Sequence, residues 1–333
     1  MSNRLHNAKA FTMDDIAAEL QLSKSTVSRA LSGYGRISED TVRRVKECAD
    51  AHGFRPNLVA KALACKKTLN IAAVMPLEST VSQMMFYHEC LSGIVSKASE
   101  FGYSVLVCMT DGNDNNALKD IVYNRKVDAV VLTQLKQDDR NVAFLRAEKF
   151  PFIVIGSCAS EGIVQLDSKM KEACCEFTRR CVSKLTNGSK VLFVSGNLDI
   201  VANRNRIDGF LSGMEASGID SARYAVCTNF TEVDGTALGS WDLILCADDV
   251  VCLLVIDSLK KNAMELGKDV LVASFHDSIL LKMGSPAVSA IHVDAFQLGK
   301  SAAELAFTIL SGKEYAETNY VDCSFAMRAS TGD

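Results

Sequence analysis

The chain has 333 residues, 48% of them hydrophobic, and a formal net charge of −4, which exceeds one ordinary core and leaves ample apolar material for two or three domains. The charge is segregated: residues 1–70 hold twelve Lys/Arg against seven Asp/Glu, a balance of +5, and the remainder holds twenty-four against thirty-three, a balance of −9. A basic head is drawn to phosphates and an acidic body is pushed from them, so the overall acidity does not exclude a nucleic-acid binder.

Met1 to Phe11 contains no apolar leader core, and no apolar run reaches membrane length, which points to a cytoplasmic chain with no membrane partner. The first seventy residues read as short helices. Ile16, Ala17 and Leu20 fall at helical spacing between Met13 and Leu20. Ser23 supplies an N-cap for a second helix running through Leu31. Ser38 caps a third, with Glu39 and Asp40 in the first turn, where the helix dipole favours acids, and this helix ends near Gly53. Pro56 follows, and Asn57–Ala64 is a short helix-compatible stretch.

After residue 68 apolar runs alternate with helical patterns. Strands are predicted at Asn70–Val74, Ser104–Met109, Ala129–Thr133, Phe152–Ile155, Lys190–Val194, Leu243–Cys246 and Val270–Ser274. Strands that are apolar almost throughout, with helices between them, imply an α/β fold of parallel sheets covered on both faces, arranged as two doubly wound lobes. Twelve cysteines are scattered through such runs and read as small buried hydrophobes in a reducing compartment. No Cys-x-x-Cys pair occurs and Cys174-Cys175 is a poor metal spacing, so neither metal nor cofactor is expected. There is no Gly-rich phosphate loop and no nucleophile elbow, so the chain is not read as an enzyme.

The stretch Asp14–Leu31 carries the strongest functional signal. Ile16, Ala17 and Leu20 can pack against Val27 and Leu31, with small Ala17 allowing a close crossing and Leu22 plugging the turn. Lys24, Ser25, Ser28 and Arg29 then face away from that packing, as residues of a recognition helix do when they reach base edges in the major groove. Residues Arg55–Ala64 are basic, short and amphipathic, and a helix of this length is not stable alone in water. It would fold on DNA or against a second copy, leaving Leu63 to wedge between base pairs or to pack as an ordinary interdomain leucine.

The head resembles the LacI/GalR family of bacterial regulators in Phe11–Ala17, Ser23–Leu31, Gly53–Asn57 and Val59–Leu63. The resemblance continues in Phe86–Ile94, Gly102–Leu106, Arg206–Phe210, Ala247–Asp249, Phe275–Asp277 and Arg328–Thr331. It implies a helix-turn-helix head over residues 1–56 and a hinge helix with linker over 57–68. A periplasmic-binding-protein-like body follows, with an N-lobe of 69–167 plus 295–325 and a C-lobe of 168–294 plus 326–333. It also implies a homodimer on a near-palindromic double-stranded operator, acting as a repressor. Lys24, Ser25 and Arg29 would read the major groove; Thr12, Ser23, Ser28, Ser38 and Asn57 would hold phosphates; Lys61 would lie at the minor-groove edge and Leu63 would intercalate.

By the same resemblance a small-molecule effector, a sugar or phosphorylated metabolite, sits between the lobes, facing Phe86, Arg206, Phe230, Asp248 and His276. Several positions depart from the sugar-binding pattern. Asp248-Asp249 stands where Asn-Asp is common, His276-Asp277 where acids are common, and Gly156-Ser157 follows the fourth strand where many members have an acid. Gly156-Ser157 and Asn203–Arg206 also resemble the catabolite control protein branch, which implies an alternative partner, a phosphorylated carrier protein.

Overall fold

The computed structural model describes residues 11–32, 37–55, 66–77, 81–110, 114–158, 160–228 and 235–332. The chain divides after Thr68 into two compact units.

The described residues of the first unit form three helices, α1 (Met13–Glu19), α2 (Lys24–Ser32) and α3 (Glu39–Ala51). Each begins where a hydroxyl side chain takes up a first-turn amide that the helix itself leaves unpaired. Thr12 Oγ1 accepts from the Asp15 N–H at 3.3 Å while the Thr12 N–H donates to Asp15 Oδ2 at 2.8 Å, a reciprocal cap. Ser23 Oγ accepts from the Thr26 N–H at 3.1 Å, and Ser38 Oγ from the Thr41 N–H at 3.3 Å. The helices close on Ile16, Val27 and Val45, all fully buried, with Ala17, Ala30, Cys48 and Ala49 around them. Leu31 packs against this core as expected, half-buried, and Ala30 beside it is buried. Three fully buried aliphatics, at about 1.5–3 kcal/mol each, make a small core for a small module.

The second unit holds two six-stranded sheets. The first combines β1 (Asn70–Pro76), β2 (Ser104–Thr110), β3 (Ala129–Leu132), β4 (Phe152–Ile155), β5 (Gln165–Asp167) and the late β11 (Thr318–Tyr320), in the order β11-β5-β4-β3-β1-β2, all parallel. The second combines β6 (Val191–Val194), β7 (Tyr224–Cys227), β8 (Leu243–Cys246), β9 (Leu271–Ser274), β10 (Ser289–Val293) and β12 (Cys323–Ala326), in the order β12-β10-β9-β8-β6-β7, with β12 alone antiparallel. All seven predicted strands are present. Five further strands of three to five residues, β5, β7, β10, β11 and β12, were not predicted, and β7 is half-buried along its whole length.

The chain crosses between the sheets three times: after β5, after β10, and between Tyr320 and Cys323. The expected N-lobe ran through residue 325, whereas Cys323–Phe325 pair with β10 of the other sheet. Helices cover the sheets as βαβ crossovers require. In the first lobe α4 (Val81–Glu100) packs against α11 (Ala295–Leu310) through glycines. A Cβ on Gly93 would lie 2.0 Å from the Phe296 carbonyl oxygen, and one on Gly299 would lie 1.9 Å from that of Cys90, so the two backbones touch. Between these helices run α5 (Asn116–Tyr123), α6 (Arg140–Ala147), α7 (Met170–Val182), α8 (Val201–Ala216), α9 (Asp249–Lys261) and the single turn α10 (Ile279–Lys282). The Arg328–Thr331 tail is structural. Arg328 clasps both oxygens of Asp277 at 2.7 Å, and Ser330 Oγ donates to the Val272 carbonyl at 2.6 Å. No described helix is long and apolar enough to cross a membrane.

Candidate DNA-reading face and interlobe cleft

On α2, Val27 and Ala30 are buried while Lys24, Ser25, Ser28 and Arg29 are exposed, so one polar face is presented to solvent. Thr12, Ser23 and Ser38 are also exposed, each at the start of a helix, where N–H groups and the dipole favour an anion. In the DNA-free head these hydroxyls are engaged locally. Thr12 Oγ1 donates to Asp15 Oδ2 at 2.6 Å, Ser23 Oγ lies 2.8 Å from both Ser25 Oγ and Thr26 Oγ1, and Ser38 Oγ lies 2.8 Å from Thr41 Oγ1. Lys24 is likewise held, with its Nζ 2.8 Å from Asp14 Oδ2. Asn57, Lys61 and Leu63 lie outside the described residues.

In the second unit, a cavity of about 150 Å³ opens between the two sheets, at the carboxyl ends of β3, β4, β5, β8 and β9. This is where an open parallel sheet places ligands. Phe86, Arg206, Asp248 and His276 all line it; Phe230 lies outside the described residues. Phe86, on α4, is both packed against the core and presented to the cavity, with its ring edge-on to His276 of the other lobe at 5.2 Å. His276 Nδ1 is 3.5 Å from Asp249 Oδ1, which is fully buried. Asp248 caps α9, its Oδ1 accepting from the Val251 N–H at 2.9 Å, so one of its two oxygens is engaged by the fold. Among the described residues Arg206 pairs with no surface carboxylate. Its Nη1 donates to Asn203 Oδ1 at 2.9 Å, and its Nε is buried without a hydrogen-bond partner. Leaving a charged donor desolvated and unpaired is costly, and an acceptor from outside would relieve it. Gly196 makes room here: a Cβ there would lie 2.9 Å from Asn203 Nδ2 and 3.6 Å from Asp248 Oδ2.

Three lining residues were not singled out by sequence. Tyr87 accepts from Gln134 Nε2 at 2.7 Å, and burial pushes its phenol up to about 12, so it stays a neutral donor. Gln134 directly follows a predicted strand and was legible as a strand-end residue. Asp167 ends the unpredicted β5, and burial raises its carboxyl above the ordinary value against the pull of the Ser168 and Met170 N–H groups. The lobes are joined across the cleft mouth. Val201 N–H donates to the Leu135 carbonyl at 3.1 Å, Gln137 N–H donates to the Asp199 carbonyl at 2.8 Å, and Asn205 Nδ2 donates to Ser157 Oγ.

Comparison with known proteins gives three family matches. Residues 12–57 match bacterial regulatory proteins of the lacI family. Residues 68–239 match the periplasmic binding proteins and sugar binding domain of the LacI family, and residues 191–331 match a periplasmic binding protein-like domain. The HTH-type transcriptional regulator MalR of Staphylococcus xylosus is 28% identical over 318 residues, covering 90% of this chain and 92% of the relative. Catabolite control protein A of Staphylococcus aureus is 22% identical, covering 93% and 95%. Among solved structures, a Lac repressor dimer bound to operator and an anti-inducer superposes with a TM-score of 0.78 at 20% identity, over 97% of this chain and 99% of that one. A probable maltose operon repressor from Staphylococcus aureus superposes at 0.72 and 24% identity, over 80% and 99%. At these identities the structures speak for the fold alone.

Proposed function

The chain belongs to the LacI family of bacterial regulators and is a DNA-binding transcriptional regulator with an effector-binding domain, and on that premise we propose that it is a cytoplasmic repressor. It holds a near-palindromic operator as a homodimer and changes its grip when a hydroxyl-rich small molecule fills the cleft. One head offers few base contacts, so two copies are needed for useful specificity. Lys24, Ser25 and Arg29 read the major groove, Thr12, Ser23, Ser28, Ser38 and Asn57 hold phosphates, and Lys61 and Leu63 serve the minor groove. The body binds its effector without turnover.

The single observation that carries the effector reading is a cavity between two lobes lined by Arg206, whose buried Nε has no hydrogen-bond partner among the described residues. The charges around it choose the class. Asp167, Asp248 and Asp249 outnumber the Arg206 guanidinium, so a phosphorylated metabolite would meet more repulsion than attraction. Neutral hydroxyls suit the same set, with carboxylates as acceptors, Arg206, Asn205 and Gln134 as donors, and Phe86 as an apolar face. The residues that suggested a phosphorylated partner protein, Gly156-Ser157 and Asn203–Arg206, are with the exception of Arg204 cleft-lining residues, which does not favour a protein-docking role.

The test is selection of bound DNA from a random pool, with and without cell extract. The expected result is enrichment of two inverted half-sites whose binding changes when extract is present. Enrichment that survives scrambling of one half-site, or no response to any extract, would overturn the reading.

A further inference from the structure

We propose that Glu19, Cys48 and His52 form a binding site in the head for a divalent transition-metal ion of the Zn²⁺ class. One donor atom from each residue lies within 4.8 Å of the other two, and His52 Nε2 is 2.9 Å from Glu19 Oε2. A tetrahedral ion with bonds of about 2.0–2.3 Å asks for donors about 3.3–3.7 Å apart. Side-chain adjustment of about an ångström reaches that spacing from bonds of this length, and the Glu19 and His52 side chains, 48% and 40% exposed, have room to make it.

The placement follows from the helices. Cys48 and His52 are one turn apart and so stack on one face of the end of α3. Glu19 is the last residue of α1. Two helix C-termini therefore converge, each carrying partial negative charge, and neither helix has a basic residue in its last turn to compensate it. The Phe11 ring stacks on the His52 imidazole at 4.1 Å and 14°, holding its orientation. A thiolate and an imidazole select Zn²⁺-like ions over Mg²⁺ and Ca²⁺, which prefer oxygen donors. On binding, the Cys48 thiol gives its proton to solvent and Sγ bonds the metal. The fourth position is left to water. The ion would tie the end of α1 to the end of α3, and α2 packs against both. Cys48 and His52 escape a search for paired cysteines because their third partner is about thirty residues away in sequence.

The full-length reduced chain titrated with Co²⁺, a spectroscopic substitute for Zn²⁺, tests the proposal. One equivalent should produce a thiolate-to-metal charge-transfer band and tetrahedral d–d absorption, both erased by one equivalent of Zn²⁺ and neither by excess Mg²⁺. Glu19→Gln and His52→Ala leave the buried core intact and should weaken binding about tenfold or more. Cys48→Ser should abolish the charge-transfer band. No band at one equivalent, or a band unchanged in the Glu19→Gln and His52→Ala variants with their circular dichroism intact, would overturn it, the latter by placing the metal on other cysteines.

Discussion

Asp14→Asn tests whether Lys24 reads DNA. In the free head the Lys24 ammonium rests 2.8 Å from Asp14 Oδ2, with the two side chains 59% and 66% exposed. To meet a base edge or a phosphate, Lys24 must leave that carboxylate. An exposed pair of this kind contributes about 0.2–1 kcal/mol. Breaking it in advance therefore returns about 0.2–1 kcal/mol per head to binding, roughly 1.4- to 5-fold, or roughly 2- to 30-fold for two heads on one operator. Removing a negative charge that would face the phosphates acts in the same direction. The cost falls on the fold: Asp14 also sits in the first turn of α1, where an acid contributes about 0.3–1 kcal/mol. Fluorescence anisotropy on the selected operator, with thermal melting of the same preparation, separates the two effects. The expected result is a lower Kd beside a slightly lower Tm. Unchanged or weaker operator binding by a folded Asp14→Asn protein would remove Lys24 from the interface.

Three further outcomes are expected. Gly299→Ala should destabilise the body by about 3 kcal/mol or more, because its Cβ would fall 1.9 Å from a rigid backbone carbonyl and the two helices must separate by about 1.5 Å; a denaturation midpoint within error of the wild type would refute that contact. Burial raises the Asp167 carboxyl, so the unfolded chain ionises at lower pH than the folded one. The resulting destabilisation is absent below the ordinary carboxylate range and complete above the folded value, so Asp167→Asn should raise Tm at pH 7, and the gain should vanish in acid. A gain that is independent of pH would assign the effect to packing. Arg206→Met should leave the unliganded body within about 1 kcal/mol of the wild type, since losing the Asn203 bond is offset by removing an unpaired donor. The same change should abolish the extract-dependent change in operator binding, and a full response would take the guanidinium out of the ligand site.

Much of the head was legible because its signals are local. Ser23 and Ser38 are caps separated by a few residues from the amides they serve, and Ile16 and Val27 follow the helical period. Periodicity gives a face but not its centre: Leu31 packs on this core half-buried, while Ala30 beside it is buried. In the body, Asp248 and His276 were legible through the family resemblance, which placed both at the ends of apolar strands, and both line the cleft. Asp167 was missed because β5 has three residues and owes its existence to pairing with β4 and with β11, about 150 residues later. Tyr87 was missed for another reason: it neighbours Phe86 on the same helix, and sequence does not tell how the two rings share the cleft.

The close helix packing at Gly93 and Gly299 also has a temporal side. On the ribosome, α4 emerges about 200 residues before α11, its partner, which at about 5–20 residues per second is roughly 10–40 s. Through that interval the nascent N-lobe carries an uncovered helix stripe with bare backbone at Gly93, a surface for chaperones or for wrong partners. The described helices of the head have no such wait, since all three are complete by Ala51. A chain still being synthesised thus presents a folded three-helix core tethered to a body whose first lobe still waits for its last helix.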